Sequence, residues 1–254
     1  MQNRYSGDVG DFGKFGLLRY LLNNSKYSLG INWYLFPDEG HNEDGKFTEY
    51  LSKPNLKPNF EKCDSELHNK LKTIVENNKR CVQALKESNL FKCKTTYFSM
   101  AVDFYPNFPG QTRLSLRKEW QDKATAALAV SNVLFIDPDN GLQIKSCESL
   151  NQKKSGKYAY FTEISKFHED KEFTVIYHHL NRCDSHSQQI KNRAQELKDK
   201  INPKHTVFCI RYRPYSPRAF FIIASPNAIE YVRDKLKAFL KSSWEPHWDC
   251  YHEI

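Results

Sequence analysis

Along this chain, short runs of β-branched and aromatic residues alternate with segments whose apolar positions recur every three or four residues. Runs at 31–36, 95–99, 133–137, 173–178, 206–212 and 219–224 are bounded by breakers and predict strands. Val133-Leu134-Phe135-Ile136 is apolar at every position, as is much of Phe173-Thr174-Val175-Ile176. A strand without a polar face belongs in a sheet covered on both sides, the usual setting of parallel sheets. Between these runs, Phe12, Phe15, Leu18 and Leu22 predict one helix, and Leu67, Leu71, Ile74 and Val75 another. Trp120, Ala124, Ala127 and Leu128 mark a third, starting near Ser115. Ile190, Ala194, Leu197 and Ile201 mark a fourth, capped by Asp184 or Ser185. Ser225-Pro226 supplies a cap and a first-turn proline, with Ile229, Val232, Leu236 and Leu240 as the buried stripe behind them.

Strands alternating with helices imply parallel pairing through right-handed crossovers. The expected fold is therefore α/β: a Rossmann-like, mostly parallel sheet flanked by helices on both faces. Only Arg213-Pro214-Tyr215-Ser216-Pro217 separates the last two strands, which predicts an antiparallel hairpin near the C-terminus with its reversed strand at the end of the sheet. Residues 1–254 read as a single domain, with polar, mobile stretches near 52–64 and 145–157. The aromatic tail at 244–251 is expected to pack back on the body.

Hydrophobic residues make up 39% and charged residues 27%, a balance that favours a folded core over disorder. No apolar run reaches the roughly 18 residues of a membrane span, and the start lacks the apolar stretch of a signal peptide. A cytoplasmic location follows as the expectation. The seven cysteines are scattered and never form Cys-x-x-Cys, which fits reduced thiols better than disulfides or zinc. A net charge of +8 favours phosphate-rich partners, so nucleic acid is the expected partner, DNA or RNA.

The densest chemistry lies at Asp137-Pro138-Asp139-Asn140-Gly141, directly after the most apolar strand. Ligands of open parallel sheets bind beyond the carboxyl ends of the strands. Pro138 lacks an N–H and Gly141 tolerates positive φ, so the chain turns there and presents two carboxylates and an amide. The bland alternative is an Asx turn. A polar turn, however, needs neither this strand nor this density of acids.

Phe135-Ile136-Asp137-Pro138-Asp139-Asn140 resembles the strand-end DPPY motif of Rossmann-fold nucleic-acid adenine-N6 methyltransferases, in particular the bacterial ribosomal RNA large subunit methyltransferase J type. Tyr5-Ser6-Gly7-Asp8-Val9-Gly10-Asp11-Phe12-Gly13-Lys14 is similar to that family's amino-terminal segment, and the order of elements to about residue 180 is also similar. The resemblance implies an S-adenosylmethionine-dependent methyltransferase acting on an amino group of a nucleic-acid base. Asp137 and Pro138 would hold the amine, with Asp139 and Asn140 completing the catalytic turn. Tyr5, Gly7, Asp8, Gly10, Asp11 and Lys14 would line the cofactor pocket, together with Asp38 and Gly40 in the loop 37–45. Two departures stand out. Asp139 replaces a proline and Asn140 an aromatic, so a stacking ring would come from Tyr158, Tyr160 or Tyr177. Loop 37–45 is also far from a glycine-rich fingerprint.

Further candidates flank this turn. Gly7, Gly10, Gly13 and Gly16 recur every three residues, suiting an anion at the helix start, or close packing with a cap at Asp8 or Asp11. The strand 173–178 runs into His178, His179 and Arg182, a cluster able to touch a phosphate or a base edge. Arg211, Arg213 and Arg218 alternate with aromatics, a pattern suited to phosphate contact and stacking, or to guarding a sheet edge. Two other functions remain open. Asp38, Asp44, Asp137 and Asp139 with His178, His179 or His186 would suit a divalent-metal nuclease or phosphodiesterase. A non-catalytic nucleic-acid-binding subunit would keep the fold without the chemistry.

Overall fold

The computed structural model describes residues 1–40, 44–102 and 104–254. Its helices are α1 (Val9–Leu22), α2 (Lys57–Glu61), α3 (Ser65–Glu76), α4 (Val82–Glu87), α5 (Arg113–Leu128), α6 (Phe161–His168), α7 (His186–Ile201) and α8 (Ile229–Phe239). Its strands are β1 (Leu29–Asn32), β2 (Thr95–Phe98), β3 (Val133–Ile136), β4 (Gly141–Leu142), β5 (Tyr158–Ala159), β6 (Phe173–His179), β7 (Thr206–Tyr212), β8 (Arg218–Ala224) and β9 (Trp248–Glu253). Seven strands form one sheet in the order β2-β1-β3-β6-β8-β7-β9, and β4 with β5 makes a small parallel ladder beside it. From β2 to β6 all pairs are parallel, and from β6 to β9 all are antiparallel. The fold is thus the expected Rossmann-like α/β class.

Strand alternation divides the core in two. Phe135, Val175, Tyr177, Phe220 and Ile222 face α1, α3 and α8. Leu134, Ile136, Ile176, Phe221 and Ile223 face α5, α6 and α7. This parity decides the site. Asp137 continues the odd-numbered row of β3 onto the α1 side with Tyr177, while His178 points to the other side.

Several local expectations change. The reversed strand β8 does not end the sheet; it lies between β6 and β7, and the tail supplies β9 as the edge. All seven residues of β8 are buried, so it cannot occupy an edge without exposing apolar surface. The first strand ends at Asn32, and Trp33 onward leaves the ladder. Asp8 and Ser185 cap their helices as the sequence suggests, accepting from Asp11 N and Gln188 N. Ser225 does not cap α8. Its hydroxyl and backbone N–H bond Glu172 instead, and the helix opens after a turn at Ile229. The 52–64 stretch holds α2 with a buried Phe60, and 145–157 holds two short 3-10 turns with Cys147 and Ser155 buried. No helix among the described residues is long and apolar enough to cross a membrane.

Candidate functional site

Beyond the carboxyl ends of β3 and β6, the Asp137–Asn140 turn and the amino-terminal segment line one cavity of about 270 Å³. The turn is fixed through its backbone. Asn140 N donates to Lys157 O at 2.9 Å, and His179 N donates to Asn140 O at 3.2 Å. Gly141 follows at φ +111°, and a Cβ there would stand 2.2 Å from His178 Nδ1. A side chain is excluded by both torsion and space.

The Asp137 carboxylate is buried and meets α1. Lys14 Nζ donates to Asp137 Oδ2 at 2.8 Å. It also lies 3.0 Å from Asp11 Oδ1, a charge contact whose angles leave that oxygen without an aligned hydrogen bond. Burial alone would lower the Lys14 ammonium, but Asp137 and Asp11 overcome it and hold it charged, well above the ordinary lysine range. Burial pushes the Asp11 carboxyl up, Lys14 pulls it back, and Asp8 and Asp137 push it further. The Lys14 ammonium also stands 5.5 Å from the centre of the Tyr177 ring. The backbone carbonyl of Asp137 accepts from the Met1 nitrogen at 2.9 Å.

Asp139 points to a second charged group. Gln2 Nε2 bridges Asp139 Oδ2 (3.0 Å) and Glu39 Oε2 (3.2 Å). Lys157 Nζ spans the same carboxylates at 3.4 and 2.5 Å. Beyond this wall lies a larger cavity of about 550 Å³ past the exits of β1 and β2, lined by Phe36, Asp38, Glu39, Phe104, Tyr105 and Lys157 among others. Two cavities therefore share one polar partition at the Asp137–Asn140 turn.

The other sequence candidates divide cleanly. Tyr5, Asp8, Gly10 and Lys14 line the first cavity with the turn. Gly7, at φ +82°, and Asp11 stand behind it, joined by a 2.9 Å bond from Gly7 N to Asp11 Oδ2. Gly10, Gly13 and Gly16 bring α1 against Arg218, Tyr212 and Trp244. Asp38 is exposed, accepts from Arg4 N at 3.2 Å and lines the second cavity; Gly40 is exposed and lines neither. His41, Asn42 and Glu43 of the same loop lie outside the described residues. His179 reaches the first cavity, whereas His178 is buried on the opposite face, its Nδ1 accepting from Leu142 N at 3.1 Å. Arg182 is exposed and lines neither cavity. Arg211 grips Asp249 through two 2.7 Å bonds, and Arg213 bonds Pro246 O, so both tie β7 to the tail.

Of the three proposed stacking rings, only Tyr177 lines the first cavity, where Tyr5 and Phe47 accompany it. Gln2, Phe47 and Lys157 carry no signal of a site in the sequence, whereas Glu39 belongs to the acidic loop 37–45 expected at the cofactor. Lys157 lies in the stretch taken as mobile. The one local signal was the Tyr158-Ala159-Tyr160 run directly after it, which forms β5 and holds Lys157 against the turn.

The fold and site define a Rossmann-like α/β protein with a polar cavity at the carboxyl edge of its sheet. No family model matches the sequence, and no curated protein matches it. The solved structure of protein LPL1258 from Legionella pneumophila strain Philadelphia 1, of the family DUF519, is similar at 13% identity and a TM-score of 0.46, over 98% of this chain and 97% of that one.

Proposed function

We propose that this chain is an S-adenosylmethionine-dependent methyltransferase acting on an amino group of a nucleic-acid base. The observation that carries this reading is the meeting of Asp137-Pro138-Asp139-Asn140 with the Tyr5–Lys14 segment around one cavity, beside a larger one. An exocyclic base amine is a poor nucleophile because its lone pair is delocalised into the ring. Asp137 and Pro138 both line the cavity, and the Asp137 carboxylate and the Pro138 carbonyl would take the amine's two hydrogens and localise that pair. Lys14 Nζ occupies Oδ2; Asp137 Oδ1 accepts no hydrogen bond from the described residues. Tyr177, Tyr5 and Phe47 offer ring surfaces in place of the aromatic that Asn140 replaces.

The residues present fit the cofactor's chemistry. Carboxylates of Asp139 and Glu39 stand at the partition between the cavities, bridged by Gln2 and paired with Lys157, and Asp139 Oδ1 is buried 4.0 Å from the Met1 nitrogen without an aligned hydrogen bond, a polar wall that a cofactor's ribose or amine could meet. The larger cavity, apolar at Phe36 and Phe104 with Asp38 at its rim, is of the size that holds small-molecule ligands. When bound, S-adenosylmethionine supplies an electrophilic methyl group. The protein's part is then orientation and charge complementarity rather than strong base catalysis.

A metal-dependent hydrolase is less well supported. Among the described residues, no group of three or more His, Cys, Asp or Glu side chains could hold a metal ion. Lys14 and Lys157 already neutralise Asp137 and Asp139. The test is calorimetry with S-adenosylmethionine and its demethylated product, joined to radiolabelled methyl transfer onto RNA and DNA. Saturable binding is expected, with transfer reduced roughly 100-fold or more in Asp137→Asn. Absence of heat with either compound would overturn the reading, and nucleic-acid binding alone would leave the non-catalytic subunit.

A further inference from the structure

Arg218 opens β8 at the rim of the first cavity and is only 7% exposed. A guanidinium this deeply buried is costly unless a counter-charge meets it. Arg117, the other buried arginine, has one: Glu163 at 2.5 Å. Arg218 has no carboxylate within ion-pair distance among the described residues. The acid that acts on it is Asp8, whose carboxylate caps α1 through Asp11 N. Its Nη1 donates only to the neutral carbonyls of Pro214 (3.3 Å) and Ser216 (2.7 Å), and the Tyr177 hydroxyl lies alongside. The rest of the group lies flat against bare helix. A Cβ on Gly10 would stand 3.0 Å from Nε and 3.1 Å from Nη2.

Asp8, Asp44, Asp137 and Asp139 all line this cavity, and Arg218 lines it as well, in ion-pair contact with none of the described carboxylates, with Ser216 and His179 beside it. We propose that Arg218 is the oxyanion-binding end of this cavity, receiving a carboxylate or phosphate from a ligand whose other end reaches Asp137. Two sources carry such a group: the α-carboxylate of S-adenosylmethionine and the phosphate of the target nucleotide. The site deepens the methyltransferase reading, yet inorganic phosphate probes it without methyl transfer.

The experiment compares wild type with Arg218→Gln by thermal shift and calorimetry. Inorganic phosphate is expected to stabilise wild type beyond chloride of equal ionic strength, and this protection is expected to vanish in the variant. If the cofactor is the source, the variant binds S-adenosylmethionine roughly tenfold or more weakly but 5′-methylthioadenosine, which lacks the carboxylate, unchanged. If the nucleotide is the source, adenosine 5′-monophosphate loses affinity while adenosine does not. Should Arg218→Gln fail to fold, Arg218→Lys keeps the charge and Gly10→Ala displaces the guanidinium; both are expected to weaken phosphate binding. Equal responses in wild type and all variants, or no phosphate protection at all, would overturn the site. Phosphate protection without S-adenosylmethionine binding would sink the methyltransferase reading and leave the oxyanion site standing.

Discussion

Lys14 of the first helix and Asp137 at the exit of the central strand form a buried ion pair at 2.8 Å, joining positions 123 residues apart. This pair fixes the amino-terminal segment over the Asp137–Asn140 turn. Lys14→Met would leave Asp11 and Asp137 buried without their cation. The expected loss is about 3–5 kcal/mol, the range for removing one partner of a buried pair. Urea unfolding measures it, and adding Asp137→Asn should restore part of the loss because the stranded charge goes with it. A loss under about 1 kcal/mol would place the pair in the surface class instead.

His178 ties the turn from the far face, and burial, joined by the charges of Arg193 and His179, lowers its pKa to about 3. The folded chain therefore keeps it neutral where the unfolded chain, near 6.5, takes up a proton. Its contribution to stability is complete above about pH 6.5 and is lost as pH falls from there toward 3, by about 1.4 kcal/mol per pH unit. Urea midpoints at pH 7, 6 and 5 should show a shallower decline in His178→Gln than in wild type. Parallel declines would show that the imidazole titrates normally in the fold.

Most of the sheet was legible because Val133-Leu134-Phe135-Ile136 and its neighbours lack a polar face, and that feature alone requires cover on both sides. The turn was legible for a related reason: acids directly after such a strand must sit at the sheet's carboxyl edge. What the pattern could not carry was parity. His178 and His179 are adjacent in sequence, yet the pleat sends one to each face, and only the register against β8 decides which reaches the cavity that Asp137 lines. Arg211, Arg213 and Arg218 looked equivalent as alternating cations. The tail strand claims the first two through Asp249 and Pro246, while burial of β8 turns the third inward. Lys157 was hidden because a long-range backbone bond, not local propensity, orders its segment.

Gly141 is the position where the turn tolerates no side chain. Alanine there would take up φ near +111° and press its Cβ on the His178 ring. Backbone strain alone is worth about 1–3 kcal/mol, and the overlap adds to it. Gly141→Ala is expected to lower the unfolding midpoint and to release the hydrogen bond from Leu142 N to His178 Nδ1, seen as faster amide exchange at Leu142. An unchanged midpoint with protected exchange would mean that the turn can relax without leaving its register.

Arg211 gives the complementary case of a cation whose acid is already in place. Its two bonds to Asp249 hold β9 against β7, where the ladder is interrupted between Cys209 and Arg211. The pair is partly exposed, so Arg211→Ala is expected to cost only about 1 kcal/mol. The loss should be local, with amide exchange quickening along Trp248–Glu253 while that of β3 and β6 stays slow. Phosphate protection should persist, because the oxyanion end is built on Arg218 rather than on this hairpin face. If Arg211→Ala abolished that protection while β9 stayed ordered, the anion would have to bind along the outer strand, and the buried guanidinium would be left as a packing element.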